Sequence, residues 1–108
     1  MTTPQDRRFE PRAAANTRGV VVAPGLELSC LVIDQSDQGL RLKLDRKLVL
    51  PRAIMVIDIA KGIVIEAQVA WQKGQEVGLK RTGQASLRGL IPSRLTAARE
   101  AWARAGGR

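Results

Sequence analysis

Residues 19–80 read as β throughout, as short apolar runs and alternating apolar and polar positions interrupted at short intervals by turn residues. Val20 to Ala23 is a short apolar run ended by Pro24-Gly25. Leu26 to Asp34 is longer and rich in Leu, Val and Ile. In Gly39 to Leu44, Leu40, Leu42 and Leu44 share one face while Arg41 and Lys43 take the other, the pattern of a strand with one buried side. Ala53 to Ala60 supplies a fourth strand, and Lys61-Gly62 a tight hairpin turn in which glycine takes a positive φ. In the longest strand Ile63, Ile65, Ala67, Val69 and Trp71 are expected to face inward, and Val64, Glu66, Gln68 and Ala70 outward. Lys73-Gly74 then turns the chain into Glu76 to Arg81. Six strands with short connections and no intervening helix predict an all-β fold, a small six-stranded antiparallel β-barrel, because closure removes exposed sheet edges. A half-open sandwich is the alternative.

The pattern changes at both ends. Residues 92–105 take helical spacing, with Pro92 and Ser93 as start signals and Gly106-Gly107 as the stop. Leu95, Ala98, Trp102 and Ala105 form one narrow stripe flanked by Arg94 and Arg99. So short a helix does not hold alone, so it is expected to dock through Trp102 on the barrel or on a partner. Residues 1–18 have no apolar period and read as an extended arm, with Pro11 turning Glu10 away from helical geometry. The expected organisation is an arginine-bearing arm over 1–18, a barrel over 19–82, and a C-terminal linker and helix over 83–108.

A chain of 108 residues suffices for one domain with a modest core. Its net charge of +8 raises nucleic acid, an anionic membrane or a phosphate ligand as partners. The charge is unevenly placed. Residues 1–18 carry four Arg against Asp6 and Glu10, residues 19–79 carry seven cations against seven carboxylates, and residues 80–108 carry seven cations against Glu100 alone. The body is therefore neutral and the excess lies at the ends. Cys30 is the only cysteine, so an intrachain disulfide and a cysteine metal site are both excluded. Without histidine, and without a glycine-rich loop leading into a helix, the chain offers neither the usual acid–base group nor a phosphate cradle. Asp34 and Asp37 share one short loop and do not make a catalytic pair. A non-enzymatic protein with no cofactor and no metal is expected. The absence of a signal-peptide run or a span-length apolar segment leads to the expectation of a cytoplasmic protein.

Two polar clusters remain. In Arg7-Arg8-Phe9-Glu10-Pro11-Arg12, the Cα atoms of Arg8 and Arg12 lie roughly 13 Å apart in an extended chain, with both side chains on the same side. That geometry suits a ligand with two phosphates, or a phosphate and a guanine edge, because the guanidinium fork pairs bidentately with either. Taken alone, the arm reads more simply as a solvated basic tail. In Asp34-Gln35-Ser36-Asp37-Gln38-Gly39 a carboxylate ends an apolar strand beside a hydroxyl and a glycine. Local turn capping and base recognition both account for such residues.

The two clusters, in this order, resemble the signature motifs of the PilZ family. Arg8 and Arg12 match its Arg, three residues, Arg motif, and Asp34, Ser36 and Gly39 match its Asp, one residue, Ser, two residues, Gly motif. Val69-Ala70-Trp71, Lys73-Gly74 and Glu76-Val77-Gly78-Leu79 are similar to the family's last hairpin. The resemblance covers roughly residues 6–82. It implies a barrel whose arm folds over cyclic di-GMP, with Arg8 and Arg12 on phosphates and guanine faces and with Asp34 and Ser36 reading a guanine. An arginine at the position of Arg7 goes, in that family, with an intercalated pair of ligands, so two cyclic di-GMP per chain and a downstream protein partner are implied. The chain departs from the family pattern at Gln38, in place of a second glycine, and at Lys80-Arg81, in place of a bulky apolar strand end. The rival readings are a nucleic-acid-binding barrel and a PilZ-like adaptor without ligand. The neutral body and the placing of Trp71 in the core count against nucleic acid.

Overall fold

A computed structural model describes residues 16–107. Six strands, β1 (Thr17–Ala23), β2 (Leu26–Gln35), β3 (Gly39–Leu44), β4 (Ala53–Asp58), β5 (Ile63–Lys73) and β6 (Glu76–Ser86), close into an antiparallel barrel in the order β1-β2-β3-β6-β5-β4. Closure is made by β1 against β4, from Gly19 opposite Asp58 to Val22 opposite Met55, which excludes the half-open sandwich. A 3-10 turn over Ser93–Leu95 leads into one helix, α1 (Thr96–Arg104).

The alternation fills the interior as expected, with Leu28, Cys30 and Val32 of β2, Leu40, Leu42 and Leu44 of β3, and Val77 and Leu79 of β6 in one cluster. A second apolar layer lies outside the barrel wall. Val20, Val22, Ile57 and Val64 point away from the interior and are buried beneath Leu87, Leu95, Ala98, Ala101 and Trp102. Val64 is thus outward-facing as expected but buried, not solvated. A sheet covered on both faces reads as a continuous apolar run, which is why β1 and β4 lose their alternation in the sequence. Of the two docking sites open to the helix, it takes the barrel. The Trp102 indole N–H donates to the Ile59 carbonyl at 2.9 Å, and the Arg88 guanidinium lies 5.3 Å from the ring centre. Arg104 forks onto Glu27, with Nη2 to Oε1 at 2.5 Å and Nε to Oε2 at 3.2 Å, and holds that carboxyl below its ordinary range.

Several boundaries differ from the sequence reading. β4 ends at Asp58 instead of Ala60, because the buried Asp58 builds the turn: its Oδ1 accepts from Lys61 N at 3.0 Å and its carbonyl from Gly62 N at 2.9 Å. β6 continues past Arg81 to Ser86, paired along the first half of β5. The helix is α only from Thr96, after the 3-10 turn. Arg81 occupies the strand position where an apolar residue was expected, and hydrogen bonds hold it there. Its backbone N–H donates to the Gln38 carbonyl at 2.9 Å, and its guanidinium to Gln35 Oε1 at 2.9 Å and to Gln84. The β3–β4 connection is fixed by Leu50, buried in the interior cluster, and by Gln72. The Gln72 Nε2 donates to the Leu48 carbonyl at 2.5 Å, and its Oε1 accepts from Leu50 N at 3.1 Å.

Candidate functional site

Strict alternation along β2 after Leu28, Cys30 and Val32 would send Asp34 into the barrel. A β-bulge prevents this. Val32 stands opposite Leu42 and Asp34 opposite Arg41, so Ile33 is left over. Asp34 is thereby moved to the outer face beside Arg41. The row continues across the sheet, with Arg41 opposite Gly78 on β6 and Gly78 opposite Trp71 on β5. Four strands therefore bring a carboxylate, a guanidinium, a bare glycine and an indole onto one line of the barrel exterior.

The position of Trp71 corrects the sequence expectation. The inward face assigned to β5 holds through Ile65 and Ala67, with Val69 partly buried against the same cluster, but Trp71 is 44% exposed. A second bulge is the cause. Val69 faces Leu79 and Trp71 faces Gly78, leaving Ala70 without a cross-strand partner. The extra residue rotates the indole out of the barrel. It lies against Gly78 so closely that a Cβ on Gly78 would fall within the pyrrole edge of the ring. Gly78 is required here for close approach, not for backbone freedom.

A cleft of about 230 Å³ opens over this row, lined by Asp34, Ser36, Gly39, Arg41, Trp71 and Gly78 among others. The Asp34–Gly39 loop forms its wall. Ser36 N donates to the Gly39 carbonyl at 2.9 Å, and the Ser36 hydroxyl accepts only a long contact from Gln38 N at 3.4 Å. Gly39 also serves through its missing side chain, since a Cβ would stand 2.5 Å from the Leu79 carbonyl oxygen. Gln38, where the family pattern has glycine, fits without strain and gives its carbonyl to Arg81 N.

Of the residues singled out in the sequence, Asp34, Ser36 and Gly39 come together in the cleft. Arg7, Arg8 and Arg12 lie outside the described residues. Arg41, Trp71 and Gly78 were missed as site residues. Arg41 was legible from its outward place in β3, whereas the bulge at Ala70 hid Trp71 and, with it, the reason for Gly78. Chemically, the row offers a carboxylate for a donor edge, a cation for an anionic or carbonyl group, and a π face for a planar ring. Among the described residues no group of three or more His, Cys, Asp or Glu is placed to hold a metal, and no helix is long and apolar enough to cross a membrane.

In comparison with known families, the PilZ domain model matches residues 6–91, a span that takes in the arginine cluster and all six strands and stops short of α1. No curated protein and no solved structure gives a significant match.

Proposed function

The chain belongs to the PilZ domain family, and from that premise we propose that it is a receptor for cyclic di-GMP that passes its ligand state to a protein partner. The observation that carries this reading is the row Asp34, Arg41, Gly78 and Trp71 beneath the Asp34–Gly39 loop. Guanine presents N1–H and N2–H₂ on one edge, and a carboxylate accepts both. An indole lying open against Gly78, on the same cleft as that carboxylate, offers the base a face on which to stack. Arg41 supplies a fork for a phosphate or for guanine O6 and N7. Arg8 and Arg12 of the arm supply two more cations at the spacing of two phosphates. Arg7 precedes Arg8 directly, so in an extended arm its side chain points the other way and serves the outer molecule of a stacked ligand pair. Two ligands per chain follow, and an arm drawn over them presents a new surface to the partner.

One observation favours a second reading. The exposed Trp71 gives a single-stranded nucleic acid a stacking platform that a core tryptophan would not. Against it, residues 19–79 remain neutral and present no second exposed aromatic. Calorimetric titration with cyclic di-GMP, GTP, cyclic di-AMP and a short single-stranded DNA tests both. Saturable heat with cyclic di-GMP alone, at two per chain, is expected. Binding of DNA with a steep loss between 50 and 200 mM salt, and no heat from cyclic di-GMP, would replace this reading with the second.

A further inference from the structure

The β3–β4 connection carries a feature that the ligand cleft does not use. Leu50 is buried and Gln72 clamps the backbone on either side of Val49, yet Val49 itself is 87% exposed and Leu48 stands out beside it. Two aliphatic side chains are thus held out from the barrel on a fixed segment. Arg46 and Lys47 precede them, Arg52 follows, and Lys73 lies in the adjoining hairpin beside Gln72. All four cations are exposed.

The charge at the other end of the chain is of a different kind. Arg94 is paired with Glu66 and Arg104 with Glu27, Arg99 donates to the Gly89 carbonyl at 2.6 Å, and Arg88 stacks on Trp102. Those arginines hold the linker and helix on the barrel. Among the described residues no carboxylate lies within 4.0 Å of the side-chain nitrogens of Arg46, Lys47, Arg52 or Lys73. Four uncommitted cations around a rigid aliphatic tip match an anionic surface.

We propose that the Leu48–Val49 tip docks on an anionic lipid surface, the aliphatic side chains entering the headgroup boundary and Arg46, Lys47, Arg52 and Lys73 meeting the phosphates. The tip has no aromatic anchor and borders an open depression lined by Lys47, Leu48, Val49, Gln72 and Gly74. Protein grooves draw most of their affinity from buried aromatic or arginine anchors, whereas a lipid surface deforms around small aliphatic groups and rewards each nearby cation by about fivefold in binding. The proposal is independent of cyclic di-GMP.

The test is co-sedimentation of the full chain, without nucleotide, on vesicles of phosphatidylglycerol and phosphatidylcholine in equal parts and on phosphatidylcholine alone. Binding to the anionic vesicles only is expected. Arg46→Gln with Lys47→Gln should weaken it about 25-fold, at about fivefold per cation. Val49→Asp should weaken it at least tenfold while leaving the melting temperature in place. Lys61→Gln with Lys80→Gln removes the same charge elsewhere and should cost less than threefold. Equal losses from the two charge pairs would overturn the proposal in favour of diffuse attraction. Full binding by Val49→Asp would overturn it as well. No binding to anionic vesicles would overturn it and leave the tip to a protein partner.

Discussion

Gly78→Ala probes the ligand cleft through the floor beneath the indole. The added methyl would occupy the space of Trp71 Nε1, Cε2 and Cδ1, so the two cannot coexist and one must move. The β6 backbone at Gly78 is paired on both sides, to Arg41 and to Trp71, whereas the indole is held by little and is 44% exposed. The ring therefore swings away, and fold stability falls by about 1 kcal/mol or less, a few degrees in the melting midpoint of a domain this size. Ligand binding loses the stacking platform, which is worth about 1–3 kcal/mol per base, so affinity for cyclic di-GMP should fall about fivefold to 150-fold. Trp71→Ala should give a loss of the same size. Because both substitutions remove one interaction, the double variant should be no weaker than either single variant. Calorimetry reads the affinities, and acrylamide quenching reads the ring, since Trp71 is open to solvent and Trp102 is buried. Unchanged affinity in Gly78→Ala, or losses that add in the double variant, would refute the assignment of Trp71 as the stacking face.

Asp34→Ala should weaken cyclic di-GMP more than cyclic di-AMP and so narrow the selectivity between them, as read by paired titrations, because adenine lacks the donor edge a carboxylate takes. Arg12→Ala should weaken cyclic di-GMP by about tenfold to over a hundredfold, the range for hydrogen bonds to a charged group, with no change in melting of the free protein. Trp102→Ala empties the centre of the outer apolar layer and removes the bond to the Ile59 carbonyl, so it should cost about 3–5 kcal/mol in denaturant unfolding. Burial pushes the Cys30 thiol from an ordinary 9.0 up to about 12. Below pH 9 the thiol is protonated in both states and costs nothing. Between pH 9 and 12 only the unfolded chain ionises, so stability falls as pH rises, by at most about 1.4 kcal/mol per unit. Unfolding midpoints from pH 8 to 11 should therefore decline more steeply for the native chain than for Cys30→Ala.

The barrel was legible because its interior face obeys a period of two in β2 and β3, where Leu28 stands between Glu27 and Ser29, and Leu42 between Arg41 and Lys43. The helix was legible from its stripe, and Trp102 was correctly read as its anchor. What the pattern concealed was the layer beneath that helix. Val20, Val22, Ile57 and Val64 sit on the face that alternation assigns to solvent, and only the docked α1 makes their burial intelligible. The cleft was half legible. Asp34, Ser36 and Gly39 are contiguous and carry a recognisable spacing, whereas Arg41, Gly78 and Trp71 belong to three different strands and meet only through the register of the closed sheet. Ile33 and Ala70 look like ordinary strand residues, and nothing in their chemistry marks them as supernumerary.

Those two residues leave the binding row indifferent both to their own side chains and to their removal. Ile33 and Ala70 can be exchanged for other apolar residues without altering which groups face outward. Deleting Ala70 would leave Val69 opposite Leu79 and Trp71 opposite Gly78, and deleting Ile33 would leave Val32 opposite Leu42 and Asp34 opposite Arg41, so ordinary alternation would keep both side chains outside. Either deletion keeps the row in place and removes only the local bend and added twist that a bulge gives its strand. In related chains, gaps of one residue at these two points are therefore compatible with an intact row, whereas a side chain at the position of Gly78 is not.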